Sequence, residues 1–141
     1  MARTELGLLT GIVVALAIAG AAAAWTTVRG ATGTTEYTID IRYSHFDPSE
    51  LSVPVGVPVT IVLRNRDPID HEWILGDAAV HERHRTGTEP VHAARPTEVT
   101  VPAGETRRTT IVIDEAGSLQ YICHLPGHEA YGMVGLLVAG S

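Results

Sequence analysis

The stretch YICHLPGHEAYGM, residues 121–133, decides how this chain reads. Tyr121 and Ile122 end a short apolar run that closes on Cys123; Pro126 and Gly127 then supply a turn, and His128 and Met133 follow at equal intervals. A loop of that shape can bring a thiolate, an imidazole and a thioether to one point. Cys123 is the only cysteine in 141 residues, so no internal disulfide can form, and the thiol is either a small buried hydrophobe or the centre of the molecule. Taken singly, each of the three is ordinary core material, and seven histidines make some adjacency by chance. The spacing C-x4-H-x4-M directly behind a strand makes joint coincidence the weaker reading.

Outside that loop, from Thr35 onward, the pattern is that of short strands. Tyr37, Ile39, Ile41 and Tyr43 alternate with Thr38, Asp40 and Arg42, and Val57, Val59, Ile61 and Leu63 alternate in a second run, the period of a half-buried strand. Runs at 51–53, 71–75, 98–101, 106–113, 118–123 and 134–139 bring the number to about eight, with turns at Gly56, Gly104 and Gly117. Two sheets packed face to face are expected. Residues 78–85, AAVHERHR, break the rhythm: a short helix is expected there with Asp77 as N-cap, followed by a loop up to Arg95 with Pro90 near its middle.

Three donors in one loop call for a fourth from elsewhere. His71 is placed for it, because it opens the run 71–75 just after a turn containing Pro68. Two histidines and a cysteine in a trigonal plane, with methionine as a weak axial ligand, form the donor set of a blue-copper site. At these residues the chain resembles the cupredoxins, the blue type 1 copper proteins, over essentially everything after Thr35. The ligand loop from Cys123 to His128 is similar to the rusticyanin and azurin type, and Gly132, Met133, Val134 and Gly135 to the plastocyanin ending. The strand carrying His71 and Trp73 resembles the one that bears the family's first histidine ligand, and the segment from Phe46 to Gly56 matches its opening strands. The resemblance implies an all-β, eight-stranded Greek-key β-sandwich, with one copper ion held by His71, Cys123, His128 and Met133. Where familiar members carry asparagine or serine after the first histidine, this chain has Glu72, expected to face solvent or to lie beside the ligands. His45 is expected near the copper pole, where it would affect partner docking. His124 is expected to point away from the metal by strand alternation, and Trp73 to be core.

Residues 6–28 carry no charge and are long enough to cross a bilayer core of about 30 Å as a helix, with Arg3 before and Arg29 after. The expectation is an N-terminal hydrophobic helix retained as a membrane anchor, holding the domain at the extracytoplasmic face; the alternative is a signal peptide cleaved near Ala22 to Ala24, leaving a secreted or periplasmic protein. The expected organisation is residues 1–28 as anchor or signal, 29–35 as linker and 36–141 as the copper-binding domain.

The formal charge is −6, and the ten basic residues are arginines scattered along the chain, so nucleic acid is not an expected partner. His81 and His84 are three residues apart, one too few for a helical zinc-protease motif. With His92 they could form a second metal site, but a solvated polar loop is the favoured expectation. Four protein ligands leave no open position for a substrate, so the expected function is a one-electron carrier and not an enzyme, with redox proteins as partners. The alternative is a copper-handling protein whose cargo is the metal. A multicopper oxidase would need further domains, and a dinuclear centre a second cysteine.

Overall fold

The computed structural model of the chain describes residues 34–88 and 95–140. Among them are nine strands and one helix: β1 Thr35–Arg42, β2 His45–Asp47, β3 Glu50–Pro54, β4 Val59–Asn65, β5 His71–Gly76, α1 Ala78–Thr86, β6 Glu98–Val101, β7 Thr106–Ile111, β8 Gly117–Ile122 and β9 Val134–Gly140. They form two sheets, ordered β2-β1-β4-β7 and β3-β9-β8-β5-β6. The pairs β1–β4 and β3–β9 are parallel and the others antiparallel. The expected all-β sandwich is thus found.

Alternation explains the packing. Ile39 and Ile41 of β1 and Val59, Ile61 and Leu63 of β4 turn inward from one sheet; Trp73, Tyr121 and Leu137 meet them from the other, all within one buried cluster. Each such side chain contributes about 1.5–3 kcal/mol by leaving water. Trp73 is core, as expected, with no exposed surface. Gly135 is required by close approach: a Cβ there would lie 2.0 Å from the Tyr121 ring, whose hydroxyl donates to the Pro48 carbonyl at 2.9 Å.

All eight expected strands are present, and β2 is the addition. It pairs with β1 through a two-residue reversal, Arg42 opposite His45, with Tyr43 and Ser44 at φ 54° and 55°. Two successive positive φ angles are the mark of a tight hairpin usually built from Asn-Gly or Gly-Gly, and neither occurs here, so the turn left no signature in the sequence.

The helix α1 forms where expected. The Asp77 side chain accepts from the Val80 amide at 2.9 Å, and Gly87, at φ 66°, closes the C-terminus. A Cβ on Gly76 would meet the Val80 Cβ at 2.6 Å, so α1 sits hard against the end of β5. The expected N-terminal helix lies outside the described residues; among those described, no helix is long and apolar enough to cross a membrane.

Candidate metal centre

Strand register brings the candidate residues together. Ile122 pairs with Ile74 of β5 and with Val134 of β9, so Cys123, one residue on, stands between the start of β5 and Met133. The Cys123 amide donates to the Met133 carbonyl at 3.2 Å, and the Met133 amide to the His128 carbonyl at 3.0 Å. These bonds close the ligand loop on itself. The Glu72 amide donates to Cys123 Sγ at 3.3 Å, tying β5 to the loop from the other side. Glu72 therefore acts through its backbone, while alternation turns its half-buried side chain to the face opposite His71 and Trp73.

Cys123 Sγ lies 3.2 Å from His128 Nδ1, and His128 Nδ1 lies 3.3 Å from His71 Nδ1. Among the described residues, this is the cluster of three metal-type side chains whose donor atoms all fall within 4.8 Å of one another. Donors sharing one ion at about 2.0–2.3 Å stand roughly 3.5 Å apart, so the spacing fits a single bound ion. His71, Cys123 and Met133 are buried without exposed surface, and His128 is half-buried. Burial pushes the Cys123 thiol up, with the Glu72 and Leu125 amides pulling against it, so a nearby cation is what would hold it as thiolate.

The His71 ring is oriented from behind. Its Nε2 lies 2.9 Å from Asp67 Oδ2, which makes Nε2 the protonated nitrogen and leaves the Nδ1 lone pair facing Cys123 and His128. Burial lowers the His71 pKa, against the pull of Asp67. Burial works to raise Asp67, but the Ser44 and Tyr43 amides and the His71 ring outweigh it and hold the carboxyl below its usual range. Asn65 holds the segment in place: its side-chain nitrogen donates to the carbonyls of Ile69 at 2.7 Å and of Val101 and Pro102 at 3.0 Å, and its oxygen accepts from the Asp67 amide at 2.9 Å. Neither Asn65 nor Asp67 was expected from the sequence; the available signal was a carboxylate four residues before the strand-opening histidine.

His45 is exposed on β2, its Nδ1 donating to the Tyr43 carbonyl at 2.7 Å, beside the turn whose amides reach Asp67. The expectation of a solvated loop at His81 is corrected. His81 has no exposed surface; its Nε2 faces the carbonyls of Gly76 at 3.1 Å and Gln120 at 3.3 Å, and its Nδ1 lies 2.9 Å from His124 Nε2. The cause is the tight seat of α1 on β5, which drives this side of the helix into the sheet. His124 points toward α1 and away from Cys123, as expected, and burial lowers its pKa to about 4. His84 stacks on His124 at 5.2 Å and donates from Nδ1 to the Val80 carbonyl. His92 lies outside the described residues.

Comparison with known proteins agrees with this architecture. Residues 9–136 match the family model of the cupredoxin-like domain. The copper-resistant cuproprotein CopI of Rubrivivax gelatinosus is 34% identical over 96 residues, covering 66% of this chain but only 58% of that protein, so the chain spans less than two thirds of its length. CopI of Pseudomonas aeruginosa is 28% identical over 125 residues, covering 66% of this chain and 69% of its own. Among solved structures, auracyanin B superposes with a TM-score of 0.66 at 22% identity, covering 79% of this chain and 93% of its own. Auracyanin A, a blue copper protein of Chloroflexus aurantiacus, gives 0.61 at 28% identity, covering 77% and 100%. The chain therefore belongs to the cupredoxin family, and copper is the cofactor to which its buried sulfur and imidazole donors are suited.

Proposed function

We propose that this chain is an extracytoplasmic one-electron carrier, tethered by residues 6–28, in which His71, Cys123, His128 and Met133 hold one copper ion. The observation that carries the reading is the closure of the donor set: three of these four residues are fully buried, and backbone hydrogen bonds fix the loop between Cys123 and Met133. Bound there, the ion supplies a one-electron couple. The chain's part is to keep the donors where both oxidation states accept them, to exclude water and to leave no position for a substrate, which argues against catalysis. His128 alone reaches the surface, which makes its edge the route by which an electron would pass to a redox partner.

The name of the CopI relatives supports a second reading, in which copper itself is the cargo of a resistance protein. One experiment separates the two. The copper-loaded soluble domain is mixed with a second copy in the opposite redox state and, separately, with a copper-free acceptor. Fast electron exchange with the metal retained supports the carrier; slow exchange with the ion passed to the acceptor supports the cargo reading.

A further inference from the structure

Asp67 is a buried carboxylate outside the proposed ligand set, and it gathers three hydrogens. Oδ1 accepts from the Tyr43 amide at 2.7 Å; Oδ2 accepts from the Ser44 amide at 2.8 Å and faces His71 Nε2 at 2.9 Å. Every partner of the carboxylate is a donor, so nothing at the site calls for a proton on Asp67 itself. The protein also sustains strain to build this arrangement. Tyr43 and Ser44 stand in the left-handed region without being glycine, and that conformation points both amides at one carboxylate. From its own backbone Asp67 is pinned twice more, by Asn65 Oδ1 at its amide and by the Gly104 amide at its carbonyl. A residue needed only to close a loop would not require a negative charge aligned with the far nitrogen of a buried imidazole.

We infer that Asp67 is a charged positioning residue for the metal-facing imidazole: it fixes His71 as the Nε2–H tautomer, aims Nδ1 at Cys123 and His128, and lowers the reduction potential of the copper held there. The inference rests on the reading of His71 as a copper ligand. A carboxylate behind a ligating imidazole strengthens it as a donor and adds negative charge close to the ion, both of which favour the oxidised, more highly charged state. Asn at this position keeps the shape but loses the charge. It also turns an amide nitrogen toward the Tyr43 amide, or toward the Ser44 amide and His71 Nε2 together, so at least one donor loses its acceptor.

The test has two arms. In metal-free residues 36–141, whose two sheets enclose a core of their own, long-range ¹H–¹⁵N correlation spectra report which His71 nitrogen carries the proton: Nε2 in the wild type, a mixture in Asp67→Asn. In the copper-loaded proteins, Asp67→Asn keeps the thiolate charge-transfer band while its potential rises. A tenfold greater loss of affinity for the oxidised ion than for the reduced one, at the lower end of what such partners contribute, corresponds to about 59 mV for one electron. A wild-type His71 protonated at Nδ1 overturns the inference without any variant, which keeps it testable if Asp67→Asn fails to fold. A folded Asp67→Asn with unchanged tautomer and potential also overturns it and leaves Asp67 as a loop staple. A wild type that shows no thiolate band removes the copper reading and the effect on potential together, and the tautomer arm then decides alone whether Asp67 positions His71.

Discussion

Two histidine clusters lie on opposite sides of one strand end, and the adjacent residues Cys123 and His124 belong one to each. On the inner side, His71 and His128 approach nitrogen to nitrogen at 3.3 Å beside a thiol; on the outer side, His81 and His124 approach at 2.9 Å beneath α1. The distances hardly differ, but the use of the lone pairs does. Asp67 takes the Nε2–H of His71 and leaves Nδ1 free to face Cys123 and His128. In the outer cluster, carbonyls take the Nε2–H of His81, and its Nδ1 is then spent on accepting from His124. What each nitrogen is already bonded to decides whether a group of imidazoles is a donor set or a piece of core.

The sharpest way to break this contrast is to exchange one member of each cluster. Cys123→Ser should abolish the thiolate-to-copper band of the loaded domain, whereas His81→Ala should leave the band in place and lower stability by about 1–3 kcal/mol, because buried hydrogen-bond partners lose their mate. Visible spectra and urea unfolding read the two effects. A colourless His81→Ala that remains folded would put the outer cluster inside the metal site.

A smaller effect is expected within the inner cluster. Met133→Gln should retain copper but become harder to reduce, since an oxygen donor favours the oxidised ion more than a thioether does. His128→Ala should slow electron exchange more, because a site lacking this imidazole would admit water that must rearrange at each transfer. Voltammetry of both decides; an unchanged potential in Met133→Gln would make Met133 core only.

The last expected effect is a pH dependence of the metal-free protein, spread over both clusters and so the least specific of the three. Burial holds His124 at about 4 against an ordinary value of 6.5, and lowers His81 and His71 in the same direction. A histidine kept neutral by folding contributes stability that is fully present above the unfolded value of about 6.5 and is lost as pH falls toward the folded one. Stability should therefore decline between pH 6.5 and 4, by up to about 1.4 kcal/mol per pH unit for His124 alone. Urea unfolding across that range should show a flatter profile in His124→Gln; an identical slope would mean that His124 is accessible to protons in the native state.

Much of this was legible because it is written locally. Alternation marked β1 and β4, short apolar runs between turns marked the other strands, and a cysteine, a turn, a histidine and a methionine within one loop marked the meeting point of His128 with Cys123. His71 was legible because a strand-opening histidine is conspicuous. The unread parts depend on distant partners. β2 is three residues long and joined by a turn whose Tyr43 and Ser44 are held by a carboxylate 24 and 23 positions away. Asp67 reads as a turn residue until the hairpin folds over it. His81 sits in a polar run, and only its partners, the carbonyls of Gly76 and Gln120 and the ring of His124, show that this face of α1 is driven inward.

The excursion that carries α1 leaves β5 and returns to β6 at neighbouring points: Ile74 pairs with Glu98, and the Leu75 amide donates to the Thr97 carbonyl at 2.8 Å. The sheet thus closes across the two ends of this excursion, at Leu75 and Thr97. Since the entropy of closing a loop grows only with the logarithm of its length, about 0.6 kcal/mol per doubling, residues added between Gly87 and Arg95 should cost little and leave in place the register that sets His71 against Cys123. An insertion there is therefore expected to leave the sheet pairing unchanged, while the face of α1 that carries His81 stays bonded to the sheet.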